Sequence, residues 1–196
     1  MKNIMLTLVI FMSSRAFSAP TPIPAAARSC VACHGSVGNP LAEVLPRIAG
    51  LPEAYIADEL KAYKNKTRRN VDGLEFMTSE AKKLSDQDIA DVAKFFSEQA
   101  PKIWPTPGDP LLIAKGKDIF ENGIPKKEVV ACNACHSADG TEIMGPQIAR
   151  QYSFYLVRQM EAFKAGTRKN AQTMPALIKN LDSQSMWAIA YYLESL

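Results

Sequence analysis

The sequence is short of the residues that most often build metal and redox centres. Its 196 residues hold two histidines and four cysteines. All six fall in two runs, Cys30-Val31-Ala32-Cys33-His34 and Cys132-Asn133-Ala134-Cys135-His136, and none remains elsewhere. Long apolar runs are missing too. Ile4 to Met12, interrupted by Thr7, falls well below the roughly 20 residues that span a bilayer. No alternating strand pattern is visible, which removes the βαβ setting of a thioredoxin-like Cys-x-x-Cys. Charge of one sign does not dominate: 23 basic side chains face 20 acidic ones, and nothing points to nucleic-acid binding. An apolar fraction of 47% with 22% charged residues gives no ground for disorder.

What is present at the start reads as a secretory signal peptide over residues 1–18. Lys2 opens a short positive region, the apolar run follows, and Ala16-Phe17-Ser18 supplies the small residues of a cleavage site. Cleavage after Ser18 fits best, because a cut after Ala19 would be followed by Pro20. The rival, an uncleaved anchor helix, is opposed by the shortness of the run. The mature chain is expected to have no transmembrane segment and to work in an oxidising compartment, as a soluble periplasmic protein or one peripherally associated with the inner membrane.

Three chemistries could use two Cys-x-x-Cys pairs. Disulfides or redox dithiols are one, and a shared zinc site is another. Neither requires a histidine directly after each pair. Cys-x-x-Cys-His is the haem-attachment signature: Cys30 and Cys33, or Cys132 and Cys135, form thioethers with the vinyl groups. The spacing then sets His34 or His136 beneath the iron. Two copies that consume every Cys and His point to two covalently bound haem c groups. Without Lys2 and Arg15 the basic count falls from 23 to 21 against 20 acidic residues. Four haem propionates would make the holoprotein mildly acidic.

The chain is also internally repeated. Arg47-Ile48-Ala49 to Asn70 aligns with Gln147-Ile148-Ala149 to Asn170. Tyr55, Leu60 and Tyr63 match Tyr155, Met160 and Phe163. Lys64, Thr67 and Arg68 match Lys164, Thr167 and Arg168. Further on, Met77, Leu84 and Ser85 match Met174, Leu181 and Asp182. Two sister domains are therefore expected at 19–100 and 111–196. A proline-rich linker at 101–110 joins them, with Pro101, Pro105, Pro107 and Pro110 too dense to continue a helix. Ile103 and Trp104 are expected to pin it to a domain surface.

The fold class is all-α. Pro52 to Lys64 carries Tyr55, Ile56, Leu60 and Tyr63 as one stripe. Ser85 and Asp182 are candidate N-caps of the last helix in each unit. Those helices bury Ile89, Val92, Ala93 and Phe96, or Met186, Ile189, Ala190 and Leu193. Asp109 before Pro110 opens a further helix that ends near Gly123. Each unit is thus a small helical shell that needs its haem to complete the core.

The sixth iron ligand is narrowed by what is missing. No histidine remains for bis-histidine ligation within one chain, and methionine is the common alternative. In the first domain the candidate is Met77. In the second, Met160 and Met186 match core positions Leu60 and Ile89, and Met144 lies in a loop, which leaves Met174, the counterpart of Met77. Lysine ligation or an open position are the alternatives. Pro46 and Pro146 are placed for their carbonyls to hold the proximal histidines, or they are ordinary loop prolines. Arg68 and Arg168 are read as propionate partners, against a solvated basic turn. Lys64, Lys66, Arg68, Arg69, Lys164, Arg168 and Lys169 are read mainly as a solvated face, with docking of an acidic redox partner as the alternative.

A haem motif, Pro46-Arg47-Ile48-Ala49-Gly50, an aromatic helix, a methionine and Leu84-Ser85-Asp86-Gln87-Asp88-Ile89-Ala90 together resemble a class I cytochrome c. The tandem arrangement resembles the dihaem cytochrome c4 family over residues of roughly 25 to 196. The resemblance implies two class I domains in the periplasm, with His34 and Met77 on one iron and His136 and Met174 on the other. It implies electron transfer rather than substrate chemistry, from a quinol-oxidising complex toward a terminal oxidase. Two rival roles stand beside it: the cytochrome subunit of a dehydrogenase, and a dihaem peroxidase, which would need a releasable ligand. The second unit departs at Ala149-Arg150, at Met174-Pro175 and over Asn122 to Val130, so the two haems are expected to differ.

Overall fold

Helix starts in this chain are set by side chains that satisfy the first free amides. Ser85 accepts from the Asp88 amide, and Asp88 accepts in return from the Ser85 amide. Asp182 accepts from the Ser185 amide at 2.7 Å. Asp109 accepts from the Leu111 amide, with Pro110 in the first turn, where a missing N–H costs nothing. Gly123, at φ 70°, ends that helix. All three capping expectations and the glycine stop match the structure.

The structure is a computed structural model, and it describes residues 22–69, 75–102, 108–139 and 144–196. The expected leader over 1–18 lies outside the described residues, as do Ile103 and Trp104 in the linker. The first half contains α1 (Arg28–His34), α2 (Glu53–Lys64), α3 (Phe76–Lys82) and α4 (Asp86–Ser97). The second contains α5 (Pro110–Asn122), α6 (Ser153–Lys164), α7 (Met174–Ile178) and α8 (Ser183–Glu194). Short 3₁₀ turns occupy Ala25–Ala27, Pro125–Lys127 and Cys132–Ala134. Among the described residues there is no strand; Ile124 and Val129 form an isolated bridge. The fold is all-α, as expected.

Each half has its own core. In the first, α2 lies on α3 and α4, and Ile56, Leu60, Ile89, Val92 and Phe96 pack together. In the second, α8 lies between α5 and α6, and Phe120, Leu156, Phe163, Leu181, Ile189 and Leu193 pack together. Phe96 and Phe120 are fully buried, each worth about 1.5–3 kcal/mol in apolar burial. The α5–α8 crossing depends on Gly116: a Cβ there would lie 1.9 Å from the Ala188 carbonyl oxygen.

The repeat is not perfect in structure. The first Cys-x-x-Cys-His run is helical, on α1, whereas the second is a 3₁₀ turn followed by irregular chain. Residues 122–130 add a loop ahead of the second motif. It is tied down by Lys127 to Asp182 at 2.5 Å and by Asn180 Nδ2 to the Lys127 carbonyl at 2.8 Å. Tyr55 leaves the α2 stripe, and its hydroxyl meets the other half of the molecule.

Candidate functional site

The two motifs bring their histidines into matched settings. His34 and His136 are both buried. Nδ1 of His34 donates to the Pro46 carbonyl at 3.1 Å, and Nδ1 of His136 donates to the Pro146 carbonyl at 2.9 Å. A carbonyl can only accept, so each ring donates from Nδ1, which leaves Nε2 as the nitrogen that can face a metal. The expected carbonyl role of both prolines is therefore present. Burial lowers the His34 pKa, and the Pro46 carbonyl pulls against that shift. Gly145 brings its backbone against His136: a Cβ at that residue would lie 2.4 Å from the ring.

The cysteines are suited to attachment. All four thiols are free. Burial raises the Cys30 thiol and pushes Cys132 up to about 11, so neither is a thiolate poised for redox exchange. Among the described residues no three of His, Cys, Asp and Glu gather as a metal cluster. The four thiols thus do not form the shared zinc site that competes on sequence.

The methionines occupy different settings. Met186 is buried in the second core, and Met144 is 75% exposed. Met77 and Met174 stand in the first turns of the short helices α3 and α7, partly buried at the edges of their cores. Thr78, beside Met77, is fully buried with no partner for its hydroxyl. Its counterpart, Pro175, has no hydroxyl.

The structure excludes one of the two readings of the arginines and adds a role that neither contained. Arg68 and Arg168 are 4% and 6% exposed, so they are not a solvated turn. They cross-link the halves. Arg68 Nη2 donates to the Tyr155 hydroxyl at 2.5 Å and to Gln159 at 3.1 Å. Arg168 Nη2 donates to the Tyr55 hydroxyl at 3.3 Å and to Glu59 at 3.1 Å. Arg68 also pairs with Glu59. Each guanidinium stacks on an aromatic ring of its own unit, Tyr63 at 4.7 Å and Phe163 at 4.4 Å. Burial pushes the Tyr63 hydroxyl up to about 12, although Arg68 pulls it down. Nε of Arg168 is taken by Asn170 at 3.2 Å, whereas Nε of Arg68 is buried with no partner in the polypeptide.

Two lysines of the supposed docking face are also occupied. Lys64 Nζ donates to the Leu84 carbonyl at 2.6 Å, and Lys164 Nζ donates to the Leu181 carbonyl at 2.5 Å. Both pin α2 or α6 to the loop before the last helix of the unit. Only the identity of these lysines in the repeat hinted at this. Lys164 is itself exposed and Lys64 half-buried; Lys66, Arg69 and Lys169 are exposed as well.

Paired histidines with free Nε2 atoms, adjacent unpaired thiols and matched methionines, in two helical shells, define a tandem c-type cytochrome. Known proteins agree. The family model for cytochrome c matches residues 25–99 and again 113–196. Cytochrome c4 of Pseudomonas aeruginosa is 33% identical over 178 residues, covering 88% of this chain and 86% of that protein. The crystal structure of reduced recombinant cytochrome c4 from Pseudomonas stutzeri superposes with a TM-score of 0.78 at 29% identity, covering 87% and 94% of the two chains. A thiosulfate dehydrogenase electron acceptor of Thiomonas intermedia is 35% identical over 150 residues, 74% of this chain and 67% of that protein. The chain belongs to the dihaem cytochrome c4 family. It carries two covalently bound haem c groups and is an electron-transfer cytochrome with redox proteins as partners.

Proposed function

We propose that this protein shuttles single electrons in the periplasm from a quinol-oxidising complex to a terminal oxidase. Cys30 and Cys33 hold one haem, with His34 and Met77 on its iron. Cys132 and Cys135 hold the other, with His136 and Met174. The units fall at 19–100 and 111–196, joined by a linker over 101–110. When bound, each iron takes up and releases one electron.

The observation that carries this reading is the matched pair of histidine clamps, His34 on Pro46 and His136 on Pro146. Each fixes its ring's tautomer and orientation and leaves Nε2 for the metal. The equivalent placement of Met77 and Met174 makes them the residues that would supply the second protein ligand of each centre. An iron held by both residues would change little in structure on electron transfer and would offer no position to oxygen or peroxide. The peroxidase alternative would require one centre with an open or releasable position, and the matched methionines give both centres the same ligand set instead. Arg68 Nε is a buried donor available to a haem propionate.

The test is the absorbance band of methionine bound to ferric haem. Met77→Leu and Met174→Leu each remove half of it. A wild-type protein without the band refutes the ligand assignment.

The likeness to a thiosulfate dehydrogenase electron acceptor favours a second reading, in which the donor is a periplasmic dehydrogenase. Pull-down from periplasm and membranes under mild conditions separates the two. A stoichiometric dehydrogenase supports the second, and an oxidase or quinol-oxidising complex supports the first.

A further inference from the structure

The peptide group between Pro46 and Arg47 is held at both ends. Its carbonyl accepts from Nδ1 of His34 at 3.1 Å, and its N–H donates to Oε1 of Gln151, in the other unit, at 2.9 Å. Gln151 Nε2 returns a bond to the Arg47 carbonyl at 2.8 Å. Gln151 is buried, and its Oε1 also accepts from the Tyr152 amide at 3.1 Å. The Arg47 side chain locks the same strip of chain. Its guanidinium stands 3.8 Å over the Tyr152 ring, donates to the Arg150 carbonyl and lies 3.7 Å from Glu194.

A peptide bond is conjugated, so a hydrogen bond at the N–H shifts electron density onto the carbonyl oxygen. Chained hydrogen bonds of this kind strengthen one another in a low-dielectric interior. The Pro46 carbonyl is therefore a stronger acceptor for His34 than it would be with a free N–H. A proximal imidazole held this way is a better electron donor to its iron, which favours the ferric state.

We propose that Gln151 is a positioning residue for His34, acting through the Pro46–Arg47 peptide, so that the second unit lowers the potential of the first haem. Among the described residues the link has no mirror image. Gly50-Leu51 aligns with Arg150-Gln151, and Leu51 has no side-chain donor or acceptor to reach the Pro146–Gln147 peptide behind His136. This relay therefore serves the first haem and is not repeated through Leu51 for the second.

The inference rests on His34 being an axial ligand, and the experiment separates the two claims. Proton NMR of the reduced, full-length holoprotein follows the Nδ1–H resonances of both histidines, and a redox titration follows both haems. In the wild type, strong ring-current shifts of the His34 protons establish ligation; their absence overturns both the ligand assignment and the relay. Gln151→Leu then moves the His34 Nδ1–H upfield and raises the first haem's potential, with His136 and the second haem unchanged. Gln151→Met, closer in shape to glutamine, gives the same result if the leucine variant does not fold. Tyr152→Phe removes a different contact across the interface, from the tyrosine hydroxyl to the Pro40 carbonyl, and leaves His34 where it was. An unmoved His34 resonance in the Gln151 variants overturns the relay. So does an equal shift at His136, or the same shift in Tyr152→Phe.

Discussion

Glu59 of the first unit and Arg168 of the second meet across the interface, Oε1 to Nη2, at 3.1 Å. The same carboxylate pairs with Arg68 and accepts from Asn170 Nδ2 at 2.8 Å. The position matched to Glu59 is Gln159, which receives Arg68 at 3.1 Å and Arg168 at 2.9 Å. The cluster is therefore nearly two-fold in geometry but not in charge: a carboxylate stands on one side and an amide on the other.

Removing that carboxylate leaves two buried guanidinium groups without it. Glu59→Ala is expected to destabilise the holoprotein by about 3 kcal/mol, the usual cost of stripping one partner from a buried ion pair. Glu59→Gln, which copies the second unit, should cost less because it keeps an acceptor. Urea unfolding of both variants checks this, and an unchanged midpoint for Glu59→Ala contradicts it.

Lys64 and Lys164 make the same kind of structural bond. Each ammonium satisfies a carbonyl just before the last helix of its unit. Charge-assisted bonds of this kind are worth about 1.5–3 kcal/mol. Lys64→Met and Lys164→Met are therefore expected to destabilise the chain, the half-buried Lys64 more than the exposed Lys164, whereas Lys66→Met should be close to neutral. Thermal unfolding of the three variants is the measurement.

Gly145→Ala should damage the second haem site alone. The added methyl would fall 2.4 Å from the His136 ring, and crowding of this kind costs about 1–3 kcal/mol. Displacing the ring also weakens the Pro146 clamp. Spectra of the ferric protein should show perturbed ligation at one haem of the two, with the signals of His34 intact. The first unit has Leu45 at the matched position, so its ring is seated differently.

The cap at Asp182 carries a pH signature. The Lys127 ammonium, followed by the amide and side chain of Ser185, holds the Asp182 carboxyl below its ordinary value of 3.8. A depressed carboxylate stabilises the fold above its unfolded pKa and loses that contribution as pH falls through the folded one. Asp182→Ala should cost about 1 kcal/mol near neutrality, the usual value for a lost N-cap. The gap between variant and wild type should shrink as pH drops below about 4, where the unfolded carboxylate begins to protonate. Denaturant midpoints measured at pH 7 and at pH 3 decide it.

Much of this protein was readable without coordinates because the signals are local. A Cys-x-x-Cys-His run commits neighbouring side chains to one cofactor whatever the rest of the chain does. Ser85, Asp109 and Asp182 act on amides two or three residues away, so their roles followed from sequence. Arg68 and Arg168 were not readable in this way. Their recurrence said that they mattered, but a guanidinium suits a propionate, a carboxylate or an aromatic face equally well. Only the approach of the other unit supplied Tyr155, Gln159, Tyr55 and Glu59. Lys64 and Lys164 show the same limit: carbonyls leave no mark in a sequence.

By itself, the sequence determined the cofactor, its copy number, the all-α class and the two-fold repeat. Each of these depends on residue types within a few positions of one another or on self-similarity along the chain. The tertiary structure decided which groups face each other over about a hundred residues of separation. That includes the pairing of Gln151 with the Arg47 backbone, which places an amide of one unit behind the peptide that holds the histidine of the other. Such a contact arises only when two folded surfaces dock in one register, because packing and hydrogen-bond geometry, not residue identity alone, select the partner.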